Sequence, residues 1–84
     1  MLDKEILKKQ IIYRSIHRGT KEMDLLLGTF VKKNINSFNY SELKKLEYLI
    51  AMDDEVLKKW YFNNSTRSEV PINTVSDQLK KFKF

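Results

Sequence analysis

The chain has 84 residues, no cysteine, one histidine and a formal net charge of +5. This length predicts one domain with a thin hydrophobic core, and the lack of cysteine excludes a disulfide framework and a thiolate metal site. A single histidine also excludes a multi-histidine metal site, and no apolar run approaches the ~20 residues of a membrane-spanning helix, so no membrane insertion is expected.

Glycine and proline are rare, with two glycines and one proline in the chain. Because β-proteins need more turn residues than this, and because apolar residues recur at helical spacing, the sequence predicts an all-α fold. We expect a compact bundle of about five short helices, typical of small helical domains. The single domain covers residues 1–84, with a short C-terminal tail at about 82–84.

The first predicted helix runs from about Asp3, as N-cap, to His17. It carries two apolar strips on nearly opposite sides. One strip contains Leu2, Ile6, Ile12, Tyr13 and Ile16. The other contains Leu7 and Ile11, and either packs against another helix of the bundle or is available to a partner.

The second predicted helix follows Gly19 and runs to about Asn34. Glycine is expected here in a left-handed position that ends the first helix. Thr20 can cap the second helix, and Glu22 lies in its first turn, where a negative charge suits the helix dipole. Its core face is Met23, Leu26, Leu27, Phe30 and Val31, and Gly28 lies off that face, where it allows close backbone approach.

Three further helices are predicted. Asn39 and Glu42 form a capping box for the third helix, which runs to about Met52, and Asp53 or Asp54 caps the fourth. A polar loop covers 63–68, and Pro71 marks the entry to the last helix. The expected inward residues are Leu43, Leu46, Leu49 and Ile50 in the third helix, Val56, Leu57, Trp60 and Tyr61 in the fourth, and Ile72, Val75, Leu79 and Phe82 in the last.

Candidates for catalysis are sparse. His17 stands next to Arg18 at a helix end, where a histidine more often interacts with the dipole than acts as a catalyst. Asp53 and Asp54 are adjacent at a helix start, so their side chains point in different directions, and capping explains them better than acid–base work. No phosphate-binding glycine loop or paired metal spacing is present. We therefore predict that the protein is not an enzyme.

The least ordinary feature is the stretch Arg18-Gly19-x-x-Glu22 between the first two helices. This stretch fits equally well a capped turn between two helices and a recognition corner, that is, an exposed helix–helix turn that binds a partner. In the second case glycine lets a partner approach closely, while the arginine fork and the glutamate supply charged contacts.

This stretch resembles the motif of the SdhE family, also called succinate dehydrogenase assembly factor 2 or the flavinator family. The resemblance extends from about Ile11 to Asn63. It includes Ile11-Ile12-Tyr13-Arg14-Ser15 before the motif and Leu49-Ile50-x-x-Asp53-Asp54-x-x-Leu57-x-x-Trp60 after it. The chain departs from many members by having His17 where they carry a second basic residue, and Glu55 where bacterial relatives often carry a proline.

The resemblance implies a five-helix bundle that binds the flavoprotein subunit of succinate dehydrogenase, and often of fumarate reductase, and promotes covalent attachment of FAD to it. It places Arg18, Gly19 and Glu22 on the partner-binding surface, with His17, Asp53 and Asp54 beside them. FAD would be the cofactor of the partner, with none bound stably here. A monomer is expected when the protein is free, in the bacterial cytoplasm or in the mitochondrial matrix of a eukaryote.

Two other functions fit parts of the sequence. A basic helical module that binds nucleic acid is suggested by the net charge and by two helices joined at a glycine turn. Against it, the lysines are spread along the chain, and Glu22 and Asp24 near the start of the second helix would repel phosphate. A generic helical adaptor with an unrelated partner is the third possibility.

Overall fold

The computed structural model describes residues 3–63 and 69–83. Its helices are α1 (Lys4–Ile16), α2 (Lys21–Asn34), α3 (Tyr40–Ile50), α4 (Asp54–Phe62) and α5 (Thr74–Lys81). The described residues contain no strand, which confirms the predicted all-α fold. None of the helices in this part of the chain has the length and apolar character needed to cross a membrane.

One hydrophobic core joins the helices, and α2 and α3 contribute most of it. All five predicted core residues of α2 and all four of α3 are buried. Helix α1 contacts both α2 and α3, and α3 contacts α5. The predicted core faces of α2 and α3 are therefore confirmed. Each of these helices has its apolar residues along one stripe, and that stripe faces the core.

Side chains cap several helix starts as the sequence predicts. The Thr20 hydroxyl accepts a hydrogen bond from the Met23 amide at 3.3 Å. Asn39 and Glu42 form the predicted capping box. Helix α5 begins with a second box, in which Asn73 and Ser76 exchange side-chain and backbone bonds, so the helix starts after Asn73 instead of at Pro71. These bonds satisfy amides that the first helical turn leaves without partners.

Helix α1 buries the side that carries Leu7 and Ile11, which lies opposite the larger predicted strip. Leu7 and Ile11 are fully buried, which confirms that they pack within the bundle. Ser15 continues this line, and its small side chain donates to the Ile12 carbonyl oxygen at 2.7 Å. The larger strip faces outward: Ile6, Ile12, Tyr13 and Ile16 are 40–63% exposed. Leu2 lies outside the described residues. Because both faces are apolar, spacing alone could not decide which one meets α2 and α3.

The last part of the chain is less buried than predicted. In α4 only Leu57 is fully buried, while Val56, Trp60 and Tyr61 lie at the edge of the core. Ile72 is 99% exposed, so its predicted inward position is wrong. It precedes α5, and the helical spacing that suggested its burial does not extend to it. The predicted loop contributes only Asn63 to the described residues.

Phe82 follows α5 and packs against the core, with its ring centroid 5.4 Å from that of Phe30. Its carbonyl oxygen accepts a hydrogen bond from the Tyr61 hydroxyl, which ties the end of α5 to α4. The Lys80 ammonium lies 4.9 Å from the Trp60 ring centroid and donates to the Trp60 carbonyl oxygen. Burial lowers the pKa of Lys80. Together these contacts hold α5 against α4.

Gly28 provides the close helix–helix approach expected from the sequence. A Cβ atom built on Gly28 would lie 3.0 Å from Ile16 Cγ2, at the packed surface between α1 and α2. We predict that Gly28→Val lowers the free energy of unfolding by roughly 1–3 kcal/mol, because the larger side chain must push α1 away. Gly28→Ala is the control and should cost less, since Ile16 is half-exposed and can rotate. Chemical denaturation followed by circular dichroism measures both, and equal stabilities for Gly28→Val and the unchanged chain would contradict the prediction.

Candidate functional site

The candidate site is an open groove between two turns of the bundle, the turn from α1 to α2 and the turn from α3 to α4. Its lining residues are His17, Arg18, Gly19, Ala51, Met52, Asp53 and Asp54. Five of the six predicted site residues therefore come together here, although about 35 positions separate the two turns. The sixth, Glu22, lies beside the groove in the first turn of α2.

Arg18 holds the two turns together. Its Nε atom donates to Asp54 Oδ1 at 2.7 Å, and a terminal nitrogen lies 2.6 Å from the same oxygen. The two terminal nitrogens also donate to the carbonyl oxygens of Ile50 and Met52, the latter at 2.7 Å. The Arg18 side chain is only 10% exposed. Its planar fork thus neutralises a carboxylate and satisfies carbonyl groups at the C-terminal end of α3, which a lysine could not do at the same time.

The backbone of the first turn is bound by two carboxylates. The Gly19 amide donates to Asp54 Oδ2 at 3.0 Å, so one carboxylate binds both Arg18 and its neighbour. The Arg18 amide donates to Asp24 Oδ1 at 2.7 Å. Hydrogen bonds to a charged acceptor are shorter and stronger than neutral ones. The turn is therefore fixed at both ends, by α2 through Asp24 and by α4 through Asp54.

The predicted left-handed conformation of Gly19 is wrong. Helix α1 ends at Ile16 with His17 as its C-cap at φ −114°, and the φ of Gly19 lies outside the left-handed region. A Cβ atom on Gly19 would lie 3.5 Å from Asp54 Oδ2, an ordinary van der Waals distance. The hydrogen bonds from Arg18 and Gly19 to Asp54 shape this turn, so it does not need the usual glycine cap. Because Gly19 has no side chain, the floor of the groove at this position is bare backbone.

His17 is exposed at the edge of the groove. Its ring stacks on that of Tyr13, with centroids 4.0 Å apart and planes 19° apart. Nδ1 lies 2.8 Å from the Tyr13 carbonyl oxygen. Because a carbonyl can only accept, Nδ1 carries the proton, and in the neutral ring Nε2 is then an acceptor. The side chain is held in one orientation, with its outer edge available at the groove.

Asp53 and Asp54 have different roles. Asp53 is the N-cap residue of α4 by backbone conformation, but its side chain makes no capping hydrogen bond, and it is exposed. Asp54 follows in the first helical turn and binds Arg18 and Gly19 as described. Capping therefore does not account for Asp54, and Asp53 keeps its carboxylate toward solvent in the groove.

Glu22 does not bind Arg18. Its carboxylate is 67% exposed and lies 3.8 Å from the Lys58 ammonium, a weak surface pair. It lines a second shallow surface beside the groove, together with Glu55, Lys58, Lys59, Phe62 and Asn63. The motif residues thus have two structural roles. Arg18 and Gly19 form the groove, whereas Glu22 faces solvent beside it.

Several acidic side chains lie around the groove, together with the basic Arg18 and Lys21. Glu22, Asp24, Asp53, Asp54 and Glu55 lie in or beside the two turns, although the net charge is +5. Asp54 pairs with Arg18 and Asp24 accepts from the Arg18 amide, so the exposed acids are Glu22, Asp53 and Glu55. Within residues 3–63 and 69–83, no three metal-ligating side chains are grouped closely enough to hold an ion. The groove is best suited to a protein surface with hydrogen-bond donors.

Sequence reasoning missed all four partners of Arg18 and its amide, including Asp54, which was expected only as a cap or a partner contact. Asp24 could have been identified as an acid in the first turn of α2 that lies within reach of the preceding turn. The carbonyl groups of Ile50 and Met52 carry no signal in the sequence, since every residue has a carbonyl and only the fold decides which ones lack partners.

The chain is similar to known proteins over most of its length. The family described as flavinator of succinate dehydrogenase matches residues 9–83. The FAD assembly factor SdhE of Acetobacter pasteurianus is 36% identical over 88% of this chain and 65% of its own length. The mitochondrial succinate dehydrogenase assembly factor 2 of Arabidopsis thaliana is 36% identical over 80% of this chain and 34% of its own length. The protein of the same name from Dictyostelium discoideum is 34% identical over 90% of this chain and 52% of its own length.

The chain thus spans between about a third and two thirds of the length of these relatives. Both bacterial and mitochondrial proteins are among them. No solved structure matches the chain significantly.

The two adjacent aspartates allow a matched stability test. We predict that Asp54→Asn lowers the free energy of unfolding by roughly 2–4 kcal/mol, because it leaves the Arg18 charge buried without its counter-ion. Asp53→Asn changes the same charge one residue away and should cost less than about 0.5 kcal/mol, since it removes no hydrogen bond. Urea denaturation of both variants measures the difference, and equal losses would show that Asp54 does not stabilise the groove.

Proposed function

The chain belongs to the flavinator family of succinate dehydrogenase, and we propose that it binds the flavoprotein subunit of that enzyme and assists covalent attachment of FAD. The observation that carries this proposal is the groove itself. The motif residues Arg18 and Gly19 and the pair Asp53 and Asp54 meet in one braced, partly exposed surface within the matched region. The flavoprotein subunit of fumarate reductase is a second partner of the same kind.

The groove residues fall into two roles in this proposal. Arg18 is a positioning residue, because its donors are used within the chain and it acts by fixing the two turns. Gly19 offers a floor without a side chain, so that a partner backbone can approach. The groups that meet the partner are the exposed ones: His17 at one edge, Asp53 within the groove and Glu22 beside it. Acceptors dominate among them, so we expect donors on the partner's surface.

No bond is made or broken on this chain in the proposed function. FAD supplies the chemistry of its own attachment within the partner. The contribution of this chain is to hold the flavoprotein in a conformation in which the acceptor side chain and the flavin lie in reacting geometry. The proposed location is the bacterial cytoplasm or the mitochondrial matrix.

A nucleic-acid-binding function is less well supported. The turn between α1 and α2 has Glu22 and Asp24 at the start of the second helix, where a recognition helix would present donors to the bases. Asp24 is moreover engaged with the Arg18 amide. Salt-dependent binding to duplex DNA at physiological ionic strength would favour this alternative over the flavinator proposal.

Gly19 separates the stability of the groove from its function. We predict that Gly19→Ala leaves the thermal midpoint nearly unchanged, because its Cβ atom meets Asp54 at an ordinary contact distance and the amide bond is kept. Gly19→Arg should also leave a folded bundle but fill the groove and reduce covalent flavin on the flavoprotein about tenfold or more. In-gel flavin fluorescence of the denatured flavoprotein, after incubation with FAD and each variant, measures the product. Full flavinylation with Gly19→Arg would contradict a role for the groove.

Glu22 has a closely matched control in α5. Asp77 is also an exposed acid in the first turn of a helix, with its carboxylate 3.7 Å from the Lys81 ammonium. Neither acid should contribute more than about 0.5 kcal/mol to folding, since both make exposed pairs. We predict that Glu22→Ala lowers the rate of covalent flavin attachment while Asp77→Ala does not, because only Glu22 borders the groove. The same fluorescence assay, followed over time, distinguishes them, and equal rates would remove Glu22 from the partner-binding surface.

A further inference from the structure

The stack of Tyr13 on His17 is a contact that the proposed function does not yet use. The two residues lie one helical turn apart at the end of α1, with ring centroids 4.0 Å apart and ring planes 19° apart. Both side chains are exposed, Tyr13 by 63%. Because so much of Tyr13 faces solvent, its contact with His17 is not part of the packing of the hydrophobic core.

Residue 13 restrains the His17 ring in two directions. Its carbonyl oxygen lies 2.8 Å from Nδ1, which fixes one edge of the ring, and its own ring covers one face, which fixes the tilt. The last side-chain torsion of histidine has only a broad, two-fold preference, so the rotamer alone does not set the ring plane. Any residue at position 13 would supply the carbonyl, but only an aromatic residue supplies the stacked face.

This arrangement decides which atom of His17 can meet a partner. Nδ1 is used by the Tyr13 carbonyl, so Nε2 is the ring nitrogen that can bond to another protein. His17 lines the groove, next to Arg18 in the chain. An exposed side chain that is immobilised only on binding costs conformational entropy at that moment. A ring that is already oriented in the free protein avoids this cost.

We propose that Tyr13 is a positioning residue for docking, which holds the His17 ring so that Nε2 meets a polar group of the flavoprotein subunit. This inference rests on the proposed function, since it takes the same partner and the same groove. It adds a residue that does not line the groove, and it assigns the His17 contact to one atom. The aromatic ring of Tyr13 has this role and its hydroxyl does not, so phenylalanine replaces it.

The first test changes Tyr13. Tyr13→Ala removes the stacked ring but keeps the carbonyl and a good helix former, and Tyr13→Phe keeps the ring. We expect the dissociation constant for the purified flavoprotein subunit to rise about fivefold with Tyr13→Ala and to stay within about twofold with Tyr13→Phe. Tyr48→Ala is the matched control, because Tyr48 is 62% exposed on α3 and should change binding less than about twofold. Calorimetry measures binding, and thermal melts establish that each variant is folded.

A double-mutant cycle separates positioning from direct contact with the partner. In a chain that already carries His17→Ala, adding Tyr13→Ala should change the dissociation constant by less than about twofold, because the ring that Tyr13 positions is absent. The same fivefold loss in both backgrounds would show that Tyr13 acts independently of His17, and it would overturn the inference.

Two substitutions of His17 test the assignment to Nε2. A glutamine amide reaches as far along the side chain as Nε2, whereas an asparagine amide reaches only as far as Nδ1. We expect His17→Gln to keep the dissociation constant within about threefold and His17→Asn to raise it about tenfold. A loss with His17→Gln as large as that with His17→Asn would contradict the contact through Nε2.

Nuclear magnetic resonance of the free protein tests the orientation directly. The chain has one histidine, so protein purified without a histidine tag gives one set of imidazole signals. At a pH at which the ring is neutral, the ¹⁵N shifts should show the proton on Nδ1, and Tyr13→Ala should move both shifts toward an average of the two tautomers. A proton on Nε2 in the unchanged chain would overturn the inference.

The outcomes also distinguish this inference from the proposed function. If the unchanged chain binds the flavoprotein and Tyr13→Ala binds equally well, the inference fails and the proposed function stands. If the unchanged chain does not bind the flavoprotein, the proposed function fails and the docking role of Tyr13 fails with it.

Discussion

The Arg18–Asp54 ion pair is the interaction on which the groove between the two turns depends. It joins residues 36 positions apart and ties the turn after α1 to the start of α4, with Nε of Arg18 2.7 Å from Asp54 Oδ1. The same carboxylate receives the Gly19 amide, and the same guanidinium satisfies carbonyl groups of Ile50 and Met52. Both side chains are partly buried at the groove, so each charge needs the other as its counter-ion, and the two turns are fixed as a unit.

This bracing changes how the motif of this chain is understood. An arginine in a recognition motif is usually expected to reach for the partner, but here its side chain is only 10% exposed and its donors are used internally. The three motif residues have different structural roles: Arg18 fixes the two turns, Gly19 leaves the groove floor without a side chain, and Glu22 faces solvent. A small helical domain has little core with which to hold a site rigid, and one partly buried ion pair achieves this with few residues.

Helix α1 has apolar side chains that remain exposed, which is a second consequence of the thin core. Within residues 3–63 and 69–83, the side of α1 with Leu7 and Ile11 is buried, whereas three isoleucines and a tyrosine on the other side remain 40–63% exposed. Exposed apolar surface is a liability unless a partner covers it.

The sequence alone determined the helices, the capping residues Thr20, Asn39 and Glu42, the core faces of α2 and α3 and the residues of the motif, because these depend on local spacing and on bonds within a few positions. Tertiary structure decided which apolar face of α1 is buried, since both faces have the same periodicity and only the position of α2 and α3 distinguishes them. It also decided that Arg18 pairs with Asp54, and that Gly19 needs no left-handed turn. These outcomes depend on contacts between distant positions, and no local pattern in the chain encodes them.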